Sequence, residues 1–331
     1  MNHFPVTTST LSEPHLALFL QEKYGLSTNT TCRLLKAGIN HTYMVSDGEK
    51  KSVFRIYSLN WRTEKEISEE IRLLNLLNEN QIPVSYPIAD TQGDYIQTLN
   101  APEGERFGLM FSYAKGEKIL NFSPEVHEKI GIIMAKFHRV TQDLYLDRVT
   151  YTPEELLIKL PQHFFGFLPD DAPEVEFIRY AQKHLLAQLK KVDETQVRKG
   201  VIHLDIWFDN MNILNEEEIT LFDFDFCGNG WQCYDIGYYI LQIHSIEADE
   251  NEYKLKAESF LKGYESVTAI SAEEKRLLPM LAECIYLFYL GVQCQRFNNW
   301  SNTFINDVYL TRFINLRIKR WFDYNKLGEL I

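Results

Sequence analysis

Between residues 201 and 230, apolar β-prone runs bracket an unusual density of polar side chains. VIHLDIWFDNMNI (201–213) carries His203, Asp205, Asp209 and Asn210, and LFDFDFCGNG (221–230) carries Asp223 and Asp225. A buried strand does not hold so many polar groups unless each finds a partner. The pattern therefore predicts a loop between short strands that presents these groups at a surface cleft. Asn210 follows Asp205 by five residues, and MNIL with EEITLF reads as a hairpin that returns the chain to Asp223. Any fold built on this segment has to close that hairpin so that its two ends converge.

The rest of the chain narrows the class. It has 331 residues, 45% hydrophobic and 24% charged, and its formal net charge is −12. That length exceeds what one small core fills, so two lobes are expected. The acidic surface repels phosphate backbones, which argues against a nucleic-acid partner and favours cationic small molecules. The N-terminus MNHFPVTTSTLSEPHLA lacks the basic-then-apolar build of a signal peptide. CIYLFYLGVQC (284–294) is too short a run to span a bilayer. Five cysteines are scattered without a C-x-x-C pair, so neither a disulfide framework nor a zinc site is indicated. A cytoplasmic protein without membrane attachment is expected.

The first third reads as strands. TCRLLKA (31–37), TYMVSDG (42–48) and KSVFRIY (51–57) are separated by the turn signals Gly38-Ile39-Asn40 and Asp47-Gly48. A helix follows at about 64–79, with Thr63 and Glu66 forming a capping box and Ile67, Ile71, Leu74 and Leu77 an apolar stripe. TQGDYIQTL and FGLMFSYA read as two more strands, for five strands and one helix by residue 113. Helices are then expected at 123–142, 152–160, 173–195, 232–246, 251–266, 272–298 and near 304–325.

His203-Leu204-Asp205 with Asn210 has the form H-x-D-x-x-x-x-N of kinase catalytic loops, and Asp223 stands where a metal-binding aspartate follows the hairpin. With FDFDFCGNGWQCYDIG, whose Tyr234-Asp235-Ile236 matches a Y-D-L motif, the chain resembles the aminoglycoside phosphotransferase and choline kinase superfamily. Bacterial stress-response kinase A and the type II homoserine kinases are the members it is most similar to. Weaker matches are AGINHTYMV, SVFRIY, FSYAKGE and GIIMAKFH. There are departures. Leu204 stands where this superfamily usually has Gly, Arg55 where protein kinases have Lys, and Asp223 is followed by Phe-Asp and not Phe-Gly.

The resemblance implies an α+β, protein-kinase-like fold: a small antiparallel β lobe with one helix (1–113) that binds nucleotide, and a larger helical lobe (114–331) with the acceptor site. The active site would lie in the cleft between them. ATP and Mg2+ are the implied cofactors. Asp205 would orient or accept the proton of the substrate hydroxyl, and Asn210 and Asp223 would hold the metal. Arg55, steadied by Glu70, would touch phosphates, with Glu66 and Glu69 competing for Glu70's part. The turn at Gly38 and Asn40 would fold over phosphates, and Phe111-Ser112-Tyr113 would meet the adenine. Asp225, Asp209 and Trp231 are candidates for substrate or second-metal contacts; lobe core or a surface acid is the bland alternative. His203 and Asp235 are expected to brace the loop, Asp235 by accepting its backbone N–H bonds. Trp207, Tyr234, Tyr238 and Tyr239 either wall an acceptor pocket or belong to the core. The acceptor is expected to be a small hydroxylated amine: an amino alcohol, amino acid or aminoglycoside. A protein Ser/Thr acceptor and a nucleotide-binding pseudokinase are the alternatives, and oligomeric state is left open.

Overall fold

A computed structural model describes residues 4–330, so the first three residues of the N-terminal stretch and the last residue of the chain lie outside it. The chain divides into two compact units, one running to Lys115 and the other starting at Gly116.

The first unit is built on an antiparallel sheet. Strands β1 (Thr31–Ala37), β2 (His41–Asp47), β3 (Lys50–Ile56), β4 (Pro87–Ile88), β5 (Ile96–Ala101) and β6 (Gly104–Ser112) run in the order β1-β2-β3-β6-β4, with β5 also on β6. Two helices accompany it, not one. Helix α1 (Glu13–Tyr24) escapes an apolar-periodicity reading because Leu16, Ala17 and Leu20 are its only buried residues. Its punctuation was nevertheless in the sequence: Pro14 at the start, and Gly25 with φ +64° at the end. Leu16 and Leu20 pack with Tyr43, Phe54 and Ile56 into this unit's core. Helix α2 (Glu64–Glu79) starts with the expected capping box, Thr63 with Glu66. The strand expected from residue 91 begins only at Ile96, since the Asp90 carboxylate accepts from the N–H groups of Gln92 and Asp94 and curls the chain into a turn.

In the second unit, helices α3 (Pro124–Val140), α4 (Pro173–Leu189), α5 (Cys233–Ile246), α6 (Glu250–Glu265) and α7 (Ala272–Gln295) surround two small ladders. Strand β7 (Lys199–Ile202) pairs with β10 (Gly228–Trp231), and β8 (Met211–Leu214) with β9 (Glu218–Leu221), all antiparallel. The helix expected at 152–160 is a π-type turn, Glu155–Lys159, followed by a 3-10 turn at Pro161–Phe164. The last expected helix is α8 (Asp307–Phe313) and α9 (Arg320–Tyr324) joined by the wide turn Ile314–Lys319. Helices α3 and α6 touch backbone to backbone: a Cβ on Gly131 would lie 2.1 Å from the Phe260 carbonyl, and one on Gly263 would lie 2.0 Å from that of Glu128. Helix α7 is longer than its apolar run and matches a membrane span by length and composition, but 83% of its most apolar window is buried within the fold. It is the core helix of this unit.

Burial keeps several histidines of this unit neutral. His127, its Nδ1 3.0 Å from the Tyr239 hydroxyl, is pushed down to about 3 by burial, with Lys256 adding to the effect. His244, packed among Tyr253, Trp321 and Tyr324, is pushed down to about 4 by burial and by Arg320. Unfolding frees both to take up protons below their ordinary value near 6.5, so each adds stability that is complete above that pH and is lost as pH falls toward its folded value. The loss is about 1.4 kcal/mol per pH unit for each group. Denaturant midpoints should therefore fall between about pH 7 and about pH 5.5, and fall less in His244→Phe. Equal midpoints at both pH values would rule out the neutral assignment.

Candidate active site

The loop after β7 owes its shape to one carboxylate. Asp235, in the first turn of α5 and fully buried, accepts at Oδ2 from the His203 N–H (2.9 Å) and from His138 Nε2 (3.1 Å). Its Oδ1 accepts from the Leu204 N–H at 2.7 Å. A carboxylate only accepts, so His138 carries its proton on Nε2 and its Nδ1 is left to take the Tyr264 hydroxyl proton at 2.7 Å. Burial lowers the His138 pKa against the pull of Asp235, and the ring stays neutral. Leu204 sits in the left-handed region at φ +66° with its side chain fully buried. That conformation accounts for the glycine usual here in the resembling superfamily, and this chain adopts it with a leucine.

Beyond Leu204 the loop folds onto itself. The Asp205 N–H donates to His203 Nδ1 at 3.2 Å, and His203 Nε2 donates to the Phe222 carbonyl at 3.2 Å. The imidazole thus ties the loop to the residue before Asp223, and burial lowers its pKa so that it does so neutral. The Phe222 N–H returns the tie by donating to the Asn210 carbonyl at 3.0 Å. Asn210 spends its amide N–H groups on Asp205, 3.0 Å to the carbonyl and 2.6 Å to Oδ2. Asp205, Asn210 and the start of the 223–226 turn are therefore one hydrogen-bonded group.

The donor set suits magnesium. With its nitrogen bonded to Asp205, Asn210 has its amide oxygen left as an acceptor, and Asp223 adds an exposed carboxylate at φ +64°. Among the described residues no three His, Cys, Asp or Glu side chains converge as a metal cage. Two hard oxygen ligands completed by phosphate oxygens and water are what magnesium commonly takes.

Three expected members stand differently. Asp209 is ion-paired with Lys118 at 2.7 Å, with both side chains partly exposed. Asp225 is 2% exposed, and its backbone carbonyl accepts from Arg148, so it is not a surface acid. Trp231 is buried, stacks on Tyr234 at 5.9 Å and pairs with Lys199, the end of the ladder away from Ile202; it is core and not a contact of this loop. Sequence reasoning missed Lys118, Arg148 and Tyr289, and left Tyr238 open between an acceptor pocket and the core. Lys118 lies 91 residues from Asp209, a pairing with no local signal.

In the first unit, Arg55 on β3 is buried and ion-paired with Glu70 of α2. The Tyr57 hydroxyl donates to the other Glu70 oxygen at 3.0 Å, and the guanidinium lies 4.7 Å from the ring centres of both Tyr57 and Phe111. The competition among the glutamates is resolved locally: Glu66 closes the α2 cap and Glu69 pairs with Arg72. Gly38 is not at positive φ, and a Cβ there would meet nothing nearer than 3.5 Å, so neither backbone freedom nor close approach within the chain calls for a glycine. Asn40 holds that turn, its carbonyl accepting from the Gly38 N–H at 3.1 Å and its side-chain oxygen from the Ser58 N–H at 3.2 Å. Ser112 spends its N–H on the Tyr86 carbonyl and its C=O on the Ser85 hydroxyl. Tyr113 has the Lys51 ammonium 5.5 Å from its ring centre.

Residues 31–270 match the phosphotransferase enzyme family. The chain belongs to that family. It is a phosphotransferase enzyme. The homoserine kinase of Brucella anthropi is 25% identical over 297 residues, which cover 88% of this chain and 86% of that one. Among solved structures, a microcompartment-associated aminopropanol kinase superposes with a TM-score of 0.77 at 22% identity, covering 95% of this chain and 99% of its own. An amicoumacin kinase in complex with AMP-PNP and Ca2+ gives 0.77 at 18% identity, covering 97% and 96%. The β-sheet unit and the helical unit are those of the phosphotransferase fold.

The left-handed backbone at Leu204 costs roughly 1–2 kcal/mol, and emptying the space of a fully buried leucine costs about 3–5 kcal/mol. Leu204→Gly is therefore expected to destabilise the second unit by about 2 kcal/mol in urea unfolding. A gain in stability would mean that backbone strain is the larger of the two.

Proposed function

We propose that this phosphotransferase moves the γ-phosphate of ATP, with magnesium, to the hydroxyl of a small amine-bearing acceptor. The observation that carries this reading is the Asp205–Asn210 hydrogen bond, in a loop tied at both Asn210 and His203 to Phe222, the residue before Asp223. In this reading Asp205 faces the acceptor hydroxyl and takes its proton as the oxygen attacks phosphorus. Asn210 and Asp223 hold the magnesium, which when bound neutralises charge on the phosphates. The residues to 113 serve as the nucleotide lobe and those from 114 as the acceptor lobe. Arg55, fixed by Glu70, lends a permanent charge to the phosphates; the turn held by Asn40 lies over them; and Tyr113 begins the segment that meets the base. Transfer by positioning and charge neutralisation asks for little more than these groups.

For the acceptor, two relatives bear the names homoserine kinase and aminopropanol kinase. Both names are of small molecules with an ammonium group and a hydroxyl, and the net charge of −12 favours a ligand that carries such a positive group. An amino alcohol or amino acid is therefore preferred over a bulky aminoglycoside. A reaction that consumes ATP is at home in the cytoplasm.

The test is phosphate transfer from magnesium-ATP to homoserine, 1-amino-2-propanol, choline and spectinomycin. Homoserine or 1-amino-2-propanol should accept phosphate; transfer to none of the four would remove the acceptor class. Asp205→Asn should lower kcat by about 10²-fold or more while ATP affinity changes by no more than about twofold. Loss of nucleotide binding in parallel would take the aspartate out of the acceptor side. Asp223→Ala should raise the magnesium concentration needed for half-maximal ATP binding, and an unchanged requirement would count against it as a ligand.

A further inference from the structure

The two oxygens of Asp205 are not equivalent. Oδ2 is taken by Asn210 at 2.6 Å, whereas Oδ1 faces the hydroxyl of Tyr238 at 3.4 Å. Tyr238 lies one helical turn after Asp235 on α5 and is only 4% exposed, so the helix that clamps the loop backbone also brings a phenol to the loop's acid. From α7, Tyr289 stacks on Tyr238 at 5.8 Å between ring centres and 29° between planes. Its hydroxyl lies 3.4 Å from the Leu204 carbonyl, and Phe226 meets its ring edge-on at 5.4 Å. Burying a phenol costs free energy unless its hydroxyl has a partner; the Tyr238 hydroxyl has the Asp205 carboxylate and the Gln242 side chain, and that of Tyr289 has the loop. Burial, reinforced by Asp205, raises both phenol pKa values well above the ordinary range, so both remain hydrogen-bond donors.

We propose that Tyr238, seconded by Tyr289, is a positioning residue for the acceptor half of the reaction: its hydroxyl holds Oδ1 of Asp205 toward the incoming acceptor. The proposal rests on the phosphotransfer reading of this loop. A hydroxyl donating to Oδ1 fixes the plane of the carboxylate from a second side, with Asn210 holding Oδ2, and so fixes the direction in which the acid meets the acceptor O–H. As the acceptor oxygen bonds to the γ-phosphorus, the bond from phosphorus to the ADP oxygen breaks and its electron pair leaves with ADP. The acceptor proton passes to Oδ1. Without the phenol the carboxylate can swing about its last torsion, and the productive direction is populated less of the time. Nothing in this role touches nucleotide binding.

The test uses the full chain with magnesium-ATP and whichever of homoserine, 1-amino-2-propanol, choline and spectinomycin the wild-type enzyme phosphorylates. Tyr238→Phe, which keeps the ring, should lower kcat by about tenfold, the worth of one hydrogen bond to a charge. The KM for ATP and the urea midpoint should stay at wild-type values. Tyr289→Phe should show the same pattern to a smaller degree and serves if Tyr238→Phe does not fold. Tyr286→Phe is the control, a ring edge-on to Tyr238 at 6.4 Å. Wild-type kcat in Tyr238→Phe, an equal loss in Tyr286→Phe, or a parallel loss of ATP affinity would each overturn the positioning role. Asp205→Asn would still report separately on the phosphotransfer reading. A wild-type enzyme that transfers phosphate to neither homoserine nor 1-amino-2-propanol, nor to choline or spectinomycin, would overturn the proposal together with that reading.

Discussion

A fully buried carboxylate with no cation beside it organises the helical unit. Asp235 is tolerated because both its oxygens are occupied, by two successive backbone N–H groups and by the N–H of a neutral imidazole. Those donors come from α3 and from the loop after β7, while the acid itself belongs to α5, so three segments meet at one point. A carboxylate in such a place would be costly if any donor were withdrawn. The left-handed turn at Leu204 belongs to the same arrangement, since it presents two consecutive N–H groups to one acid. His203 then faces the other way, toward Phe222, and Asp205 is delivered to Asn210. The remaining geometry of the loop follows from that first contact.

The β-sheet unit has its own buried charge, handled in a different manner. Arg55 and Glu70 are a true ion pair, closed in by Tyr57 and Phe111. Such a pair adds little net stability, because desolvation offsets most of the attraction, but removing either partner strands the other at a cost of about 3–5 kcal/mol. Its value is therefore directional. A planar guanidinium held between two rings and a carboxylate has far fewer orientations than a lysine ammonium would have. The departure from the protein-kinase lysine gives this position a stiffer charge.

Much of this was legible in the sequence, for reasons that can be named. Helix α2 was readable because its cap and its stripe are local, and the polar cluster at 203–225 because its spacing encodes a hairpin. The sequence points to Glu70 for Arg55 with Glu66 and Glu69 as rivals, since all three lie within one turn or so of each other, and it is packing that assigns Glu70. Helix α1 was missed because it buries so few residues that periodicity carried no signal, although Pro14 and Gly25 mark its ends. Tyr289 and Lys118 were invisible for another reason: each meets the loop from about 85 or more residues away. Trp231 stays open in the sequence between an acceptor contact and the core, because nearness in sequence to a motif cannot choose, and burial on the strand ladder puts it in the core.

Leu204 has a further meaning when the unfolded chain is considered. A glycine in that place would roam over a wide range of backbone conformations before folding, and all of that freedom would be surrendered on closing the loop. Leucine roams less, by an amount worth roughly 0.4–1 kcal/mol for a residue of this kind. Part of the strain carried by the native turn is thus returned as a smaller entropy loss, and the buried side chain adds a hydrophobic anchor that glycine lacks. A loop that a glycine would make supple is, in this chain, made stiff before it folds.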